Sequence, residues 1–249
     1  WLTDRLDSER ISAEALQAAL GEVYGSDRTF QVPLLVAGVI AGALGEDAAK
    51  LAGRLPFELA VFPHRILRWL RLPVVSYALP ALIAMGQWIE HQHGGGRFWR
   101  RWLVGPTRRK LHAIQPSSGG FLEAAPLTSF VAMALADIGA TDNPVVANCV
   151  SFLRTSQRSD GAWPIDEDLS SWVTSLSASV LAEALPDEDR ATLADAILAR
   201  QCREVHPFTQ AKGGGWSWTD RPGGVPDGDD TAAALLALDA LGAEDVPAA

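Results

Sequence analysis

Phe152-Leu153-Arg154-Thr155-Ser156-Gln157-Arg158-Ser159-Asp160-Gly161-Ala162-Trp163 is the stretch that decides the fold. It closes one apolar helical pattern at Gln157, turns at Gly161, sets an aromatic at Trp163 and leads into a second apolar pattern over Ser171–Leu185. The same order occurs twice more. Ile114-Gln115, with Gly119 and Phe121, leads into Thr128–Gly139. Ile197–Gln201, an insertion and then Gly214-Gly215-Trp216 lead into Asp229–Leu241. The three glutamines are 42 and 44 residues apart. A helix pair of this kind cannot bury its faces alone and must stack with copies of itself. Helical periodicity dominates the chain and no run alternates as a strand does. The expected fold is therefore all-α, built of helix-pair repeats as an α/α barrel (toroid) or an α-solenoid.

The turn residues agree with this pattern. Glycine permits the tight path after each helix. A glutamine amide can satisfy free backbone groups at a helix end, and the aromatic can stack on the neighbouring unit. Upstream, Ser12–Val23 is amphipathic, with Ser12 as a suitable N-cap. Val32–Leu44 is apolar all round and reads as a buried helix. Pro56–Leu70 and Pro80–His91 read as two more helices, the second opened by its proline. Gly94-Gly95-Gly96 then breaks the pattern.

Composition narrows the function. The formal net charge of −9 argues against a general nucleic-acid binder. Cys149 and Cys202 make no disulfide framework. Nine tryptophans against two tyrosines suit an apolar pocket lining or a membrane-interface anchor. The longest apolar stretch, Leu72–Ile89, contains Pro73, Pro80, Ser76 and Gln87, which makes it a poor transmembrane span. In Arg97–Lys110, the cations Arg97, Arg100, Arg101, Arg108, Arg109 and Lys110 interleave with Phe98, Trp99 and Trp102. Two readings stay open: a solvated linker or helix face, and a patch at an anionic membrane surface. The chain opens on Trp1 and shows no signal peptide, so it is expected to be a fragment or a processed chain.

The third repeat carries Pro226-Asp227-Gly228-Asp229-Asp230-Thr231. Asp is favoured at a helix N-terminus as a cap and as a partner of the helix dipole, but three carboxylates exceed what a cap needs. An EF-hand loop counted from Asp227 would require Gly and Glu where Ala232 and Leu238 stand. A magnesium–diphosphate site would need further carboxylates and basic residues that cannot be placed.

Gln-x3-Gly-x-Trp repeats followed by Asp-x-Asp-Asp-Thr-Ala resemble squalene–hopene and related class II triterpene cyclases. Phe152–Trp163 carries that family's repeat motif in full. Gly214-Gly215-Trp216-Ser217-Trp218 with Asp227–Ala232 resembles the stretch that holds its catalytic acid. Leu55-Pro56-Phe57-Glu58 with Pro63 resembles the segment before its interdomain linker. The resemblance runs from about Pro56 to the C-terminus. It implies a division into residues 1–96, akin to the inserted second α-barrel domain, a basic-aromatic linker over 97–112, and the first repeats of a truncated catalytic α/α barrel over 113–249.

The implied activity is protonation-initiated cyclisation of squalene or another long polyprene, with no metal, nucleotide or redox cofactor. Asp229 is expected to be the proton donor, held and tuned by Asp227 and Asp230. Crowded carboxylates in an apolar cavity cannot all ionise, which keeps one of them protonated. Trp172, Phe130 and Trp218 are expected to line the pocket, since aromatic faces stabilise carbocations without trapping them; core packing is the alternative for each. The implied setting is cytoplasmic and peripheral on the inner face of the membrane, with Arg97–Lys110 as the candidate contact and a homodimer left open.

The chain also departs from the family. Gly224 and Val225 stand where two aromatics usually precede the acid motif, and Thr128 lies near an expected pocket Trp. The family's later repeats and its His partner of the acid are absent, so the chain as given is expected to be an inactive fragment of such an enzyme. The alternative is a non-catalytic or differently active α/α-toroid protein. A prenyltransferase β-like zinc site would need Asp, Cys and His, and only Cys202 and His206 are near one another. A thioester-bearing toroid would need a Cys-Gly-Glu-Gln run, which is missing.

Overall fold

A computed structural model describes residues 12–25, 28–45, 48–63, 66, 69, 79–94, 98–206 and 211–243. They form ten α-helices and no strand: α1 (Ala13–Tyr24), α2 (Arg28–Ile40), α3 (Ala48–Leu51), α4 (Leu79–Gln92), α5 (Phe98–Ala113), α6 (Ala125–Asp137), α7 (Pro144–Ser156), α8 (Ser170–Leu181), α9 (Asp187–Ala199) and α10 (Gly228–Ala240). Three short 3-10 turns lie at Phe57–Val61, Phe121–Glu123 and Ala182–Ala184. The all-α class holds. No described helix is long and apolar enough to cross a membrane.

Local chemistry accounts for the helix ends. The Ser12 hydroxyl accepts the Ala15 N–H at 3.1 Å and caps α1 as expected. Pro144 opens α7, where its missing N–H costs nothing. Asp187, Glu188 and Asp189 fill the first turn of α9, beside the positive end of its dipole. Gly119, Gly161 and Gly214, one in each repeat turn, all have positive φ (87°, 84° and 103°), the backbone region that glycine enters without strain. Of the helix expected over Pro56–Leu70, Phe57–Val61 is a 3-10 turn, Phe62 and Pro63 are not helical, and Ile66 and Trp69 are helical; residues 64, 65, 67, 68 and 70 lie outside the described residues, as does Arg97.

The chain divides into two compact units, residues 1–115 with 126–155 and residues 116–125 with 156–249. These boundaries differ from the division at 97–112 that the family resemblance implies. The stretch expected as a linker forms most of the regular helix α5, packed on the 3-10 turn at Phe57–Val61 and on α4.

The first unit holds Trp88, Phe57, Ile83, Met85, Ile89 and Leu111 fully buried. The Trp88 indole N–H donates to the Asp137 carboxylate at 2.6 Å, tying α4 to α6. Arg100 is buried as well, so this one cation of Arg97–Lys110 belongs neither to a solvated face nor to a surface patch. Its guanidinium donates to Glu58 Oε2 at 2.6 Å, to the Leu55 carbonyl at 2.6 Å and to Glu90 Oε2, and it lies 4.8 Å from the centre of the Phe57 ring. A buried cation needs such partners, because removing it from water costs several kcal/mol. Phe98 and Trp102, on another face of α5, are exposed and meet edge to face at 6.0 Å.

In the second unit α8, α9 and α10 pack on one another. Ala178, Ala182, Ala234 and Ala237 let the backbones approach, and Ile197, Trp216, Leu238 and Leu241 fill the space between. The outward faces stay apolar. Trp172, Val173, Leu176 and Val180 on α8, and Leu235 and Leu236 on α10, are exposed.

Candidate functional site

The acidic trio stands at the N-terminus of α10 in the second unit. The Trp216 indole N–H donates to the Ile197 carbonyl at 2.7 Å, and its backbone N–H donates to the Thr231 hydroxyl at 3.0 Å. The repeat aromatic therefore bonds back to the preceding helix end, while Gln201 donates to the Gly214 carbonyl at 2.9 Å and Gln157 to Gly161 at 3.0 Å. Gly215 has no room for a side chain, since a Cβ there would lie 2.8 Å from the Thr231 hydroxyl oxygen. The Asp227 N–H then donates to the Trp216 carbonyl at 3.1 Å, fixing the entry to the helix.

Asp227 is the N-cap of α10, and its Oδ1 accepts the backbone N–H of Asp230 at 2.8 Å. Asp229, expected to be the proton donor, is exposed, whereas Asp230 is buried. The helical period explains the difference. Asp230 shares the inward face with Ala234, Ala237 and Leu238, while Asp229 is one position, or about 100°, around the helix. Burial raises the Asp230 carboxyl to about 7, helped by the charge of Asp227, a hydrogen bond with that side chain and the charge of Asp229; the Trp218 backbone N–H opposes this. Burial and the two neighbouring carboxylates thus favour the protonated form of Asp230.

Trp218 joins this acid to α8. Its carbonyl accepts the N–H groups of Ser171 at 3.0 Å and Trp172 at 3.1 Å. Its indole nitrogen is buried without a hydrogen-bond partner among the described residues. Trp172 itself is 42% exposed. Phe130 is half-buried on α6, in the other compact unit, and Thr128 on the same helix is fully buried.

The loop before Asp227 is held by residues that the sequence did not single out. Glu123 is fully buried, accepts the Ser118 hydroxyl at 2.6 Å and the Gly223 N–H at 2.8 Å, and sits with Leu122 at positive φ (52° and 58°). Such a conformation in two non-glycine residues costs of order 1–3 kcal/mol each and persists only where its surroundings fix it. Here the bridge between Ala124 and Asp166 and the Glu123 hydrogen bonds do so. Arg221 meets Glu167 at 3.1 Å and Asp168 at 3.5 Å. Burial alone would raise the Asp168 carboxyl, but hydrogen bonds from Ser170 and Thr219 and the Arg221 charge hold it below its ordinary value. Glu123 and Gly223 are 100 residues apart, and no local pattern announces such a pair.

The same loop explains one departure from the family pattern. A Cβ at Gly224 would lie 2.6 Å from the Ser217 hydroxyl oxygen and 2.8 Å from the Thr219 carbonyl, so no aromatic side chain fits there without moving the loop. Beside it is a cavity of about 490 Å³ lined by Arg200, Cys202, Ser217, Thr219 and Arg221 among others, and by none of the acidic trio.

Neither protein-family models nor curated proteins give a match to this sequence.

Proposed function

We propose that this chain carries the acid and helix-pair repeats of a class II, protonation-initiated cyclase acting on squalene or a related long polyprene. The observation that carries the reading is Asp230: a carboxyl buried at a helix N-terminus beside two other carboxylates, surroundings that push its pKa up to about 7. An ordinary exposed aspartic acid is ionised there and cannot protonate an alkene. In the proposed reaction the trio's proton adds to a terminal carbon–carbon double bond. The tertiary cation formed is attacked in turn by the remaining double bonds, and a proton is lost at the far end, so that product and substrate are isomers. Asp227 fixes the orientation of Asp230. The family resemblance gives donation to Asp229; the burial of Asp230 moves the proton-holding role one residue along. Trp172 and Trp218, joined through the backbone beside the acid, supply aromatic surface for the cations. The exposed apolar faces of α8 and α10 suit an oily substrate or further stacked helices, and the exposed Phe98 and Trp102 suit a peripheral membrane setting.

A second reading, a stacked-helix binding or scaffold protein without turnover, is favoured by the exposure of Asp229 and Trp172. The two separate in one experiment. Squalene in detergent micelles is incubated in D2O with the protein in the full length its gene encodes, and products are read by mass spectrometry. The cyclase reading expects polycyclic isomers carrying one deuterium, lost in Asp230→Asn. Unchanged squalene, or a product formed equally by Asp230→Asn, contradicts it.

A further inference from the structure

The first compact unit contains a cavity of about 530 Å³ between α4 and α5, within the range of small-molecule sites. Gln87, Glu90, His91, Arg100, Arg101 and Arg108 contribute its polar lining. Their charges do not cancel. Arg100 is matched by Glu58 and Glu90, and Arg54 lies 3.9 Å from Glu90. Arg101 is exposed and has no ion pair or hydrogen bond among the described residues. Arg108 is half-buried; its Nε donates to Gln87 Oε1 at 2.8 Å, and its guanidinium makes no other hydrogen bond among the described residues. Gln87 is itself fixed by donating to the Thr107 hydroxyl at 2.8 Å. Arg101, Val104 and Arg108 recur at helical spacing along the cavity-facing side of α5, so both guanidinium groups address one space.

Glu90 adds a second and opposite requirement. Its side chain is 9% exposed, its Oε2 is taken by Arg100, and its Oε1 is buried with no hydrogen-bond partner among the described residues. A buried carboxylate oxygen left in this state is unfavourable, and a donor from a bound molecule would offset that. Burial also lowers the pKa of the Arg108 guanidinium, with the charge of Asp142 only partly opposing, so a counter-anion beside it is favoured.

We propose that this cavity binds a phosphate ester whose alcohol part carries a hydroxyl, a glycerol-phosphate group, with Arg101 and Arg108 on the phosphate and Glu90 Oε1 accepting the hydroxyl. Arginine forks match phosphate oxygens in geometry as well as charge. The group can arrive free in solution or as the headgroup of a phospholipid. The exposed Phe98 and Trp102 on the same helix would enter a bilayer in the second case. The inference stands independently of the cyclase reading.

The test uses the whole chain and two ligand forms. Titration calorimetry with sn-glycerol 3-phosphate should show one saturable site, weakened about tenfold or more by Arg101→Ala or Arg108→Gln. Methyl phosphate, which lacks the hydroxyl, should bind about tenfold more weakly than glycerol phosphate. Co-sedimentation with phosphatidylglycerol vesicles separates the sources. Vesicle binding that free glycerol phosphate competes away identifies a headgroup site; saturable binding of the free ester without vesicle binding identifies a soluble ligand. Arg101 is exposed, so its variant keeps the test valid if Arg108→Gln does not fold. The proposal is overturned if neither form binds, if Arg101→Ala binds both as the parent does, or if methyl phosphate binds as well as glycerol phosphate.

Discussion

Asp227 and Asp230 are bound to one another as well as crowded together: Asp227 Oδ1 accepts the Asp230 backbone N–H at 2.8 Å, capping α10. The same carboxylate hydrogen-bonds the Asp230 side chain and raises its pKa. One residue thus sets both the start of the helix and the acidity of the buried group. Replacing Asp227 by Ala should lower stability by about 1 kcal/mol through the lost cap. It should also move the Asp230 titration toward its ordinary value. Urea unfolding of Asp227→Ala and Asp227→Asn separates the effects, because Asn retains the cap and removes the charge.

Asp230 makes stability depend on pH in a definite direction. Its folded pKa is about 7, above the ordinary value of 3.8, so folding takes up a proton between those limits. Its contribution is fully present below about pH 4 and is lost as pH rises through 7, with a limiting slope of about 1.4 kcal/mol per pH unit. Urea unfolding at intervals from pH 4 to 8 should show this fall in the parent and a flatter profile in Asp230→Asn. Parallel profiles would contradict it.

Arg100 ties together residues 45, 42 and 10 positions away in sequence. Replacing it by Met leaves Glu58 and Glu90 buried or half-buried without their cation. That should destabilise the first unit by about 3–5 kcal/mol, measured by thermal unfolding. Arg101→Met, one residue along on an exposed position, should change stability by less than about 0.5 kcal/mol.

The two cysteines should differ in reactivity. Burial pushes the Cys149 thiol up to about 12, against weaker opposing hydrogen bonds from Gln115 and from its own backbone. Cys202 is half-buried, and burial raises it too. A thiol reagent at pH 8 should modify Cys202 first and Cys149 only on unfolding, as read by peptide mass mapping.

Gly224→Trp would place an aromatic where the cyclases that the sequence resembles carry one before their acid motif. Ser217 and Thr219 leave it no space, so it should destabilise the second unit by about 1–3 kcal/mol rather than improve a pocket. Thermal unfolding of that variant reads the sign directly.

The helix-pair order was legible because period, turn glycine and cap residues coincide. The pattern over Asp229–Leu241 starts one residue late, and that over Thr128–Gly139 three residues late and ends two residues late, against the observed Gly228–Ala240 and Ala125–Asp137. The acidic trio was legible as a cluster. Which member is buried was also written in the sequence, in the spacing of Asp230 from Ala234, Ala237 and Leu238, but the family resemblance pointed to Asp229 instead. Arg100 could not be distinguished from its exposed neighbours, because its partners come from the Leu55–Glu58 segment and from α4. Glu123 was invisible for the same reason: its value lies in a contact with Gly223 across 100 residues.

The proposed chemistry needs a carboxyl that keeps its proton to neutrality, and carboxyl carbon NMR of aspartate-labelled protein reads that state directly. One resonance should titrate with a midpoint near 7 and vanish in Asp230→Asn while remaining in Asp229→Asn. If every aspartate titrates below about pH 5, as ordinary carboxyls do, no member of the trio holds a proton for an alkene and the proposed chemistry is wrong.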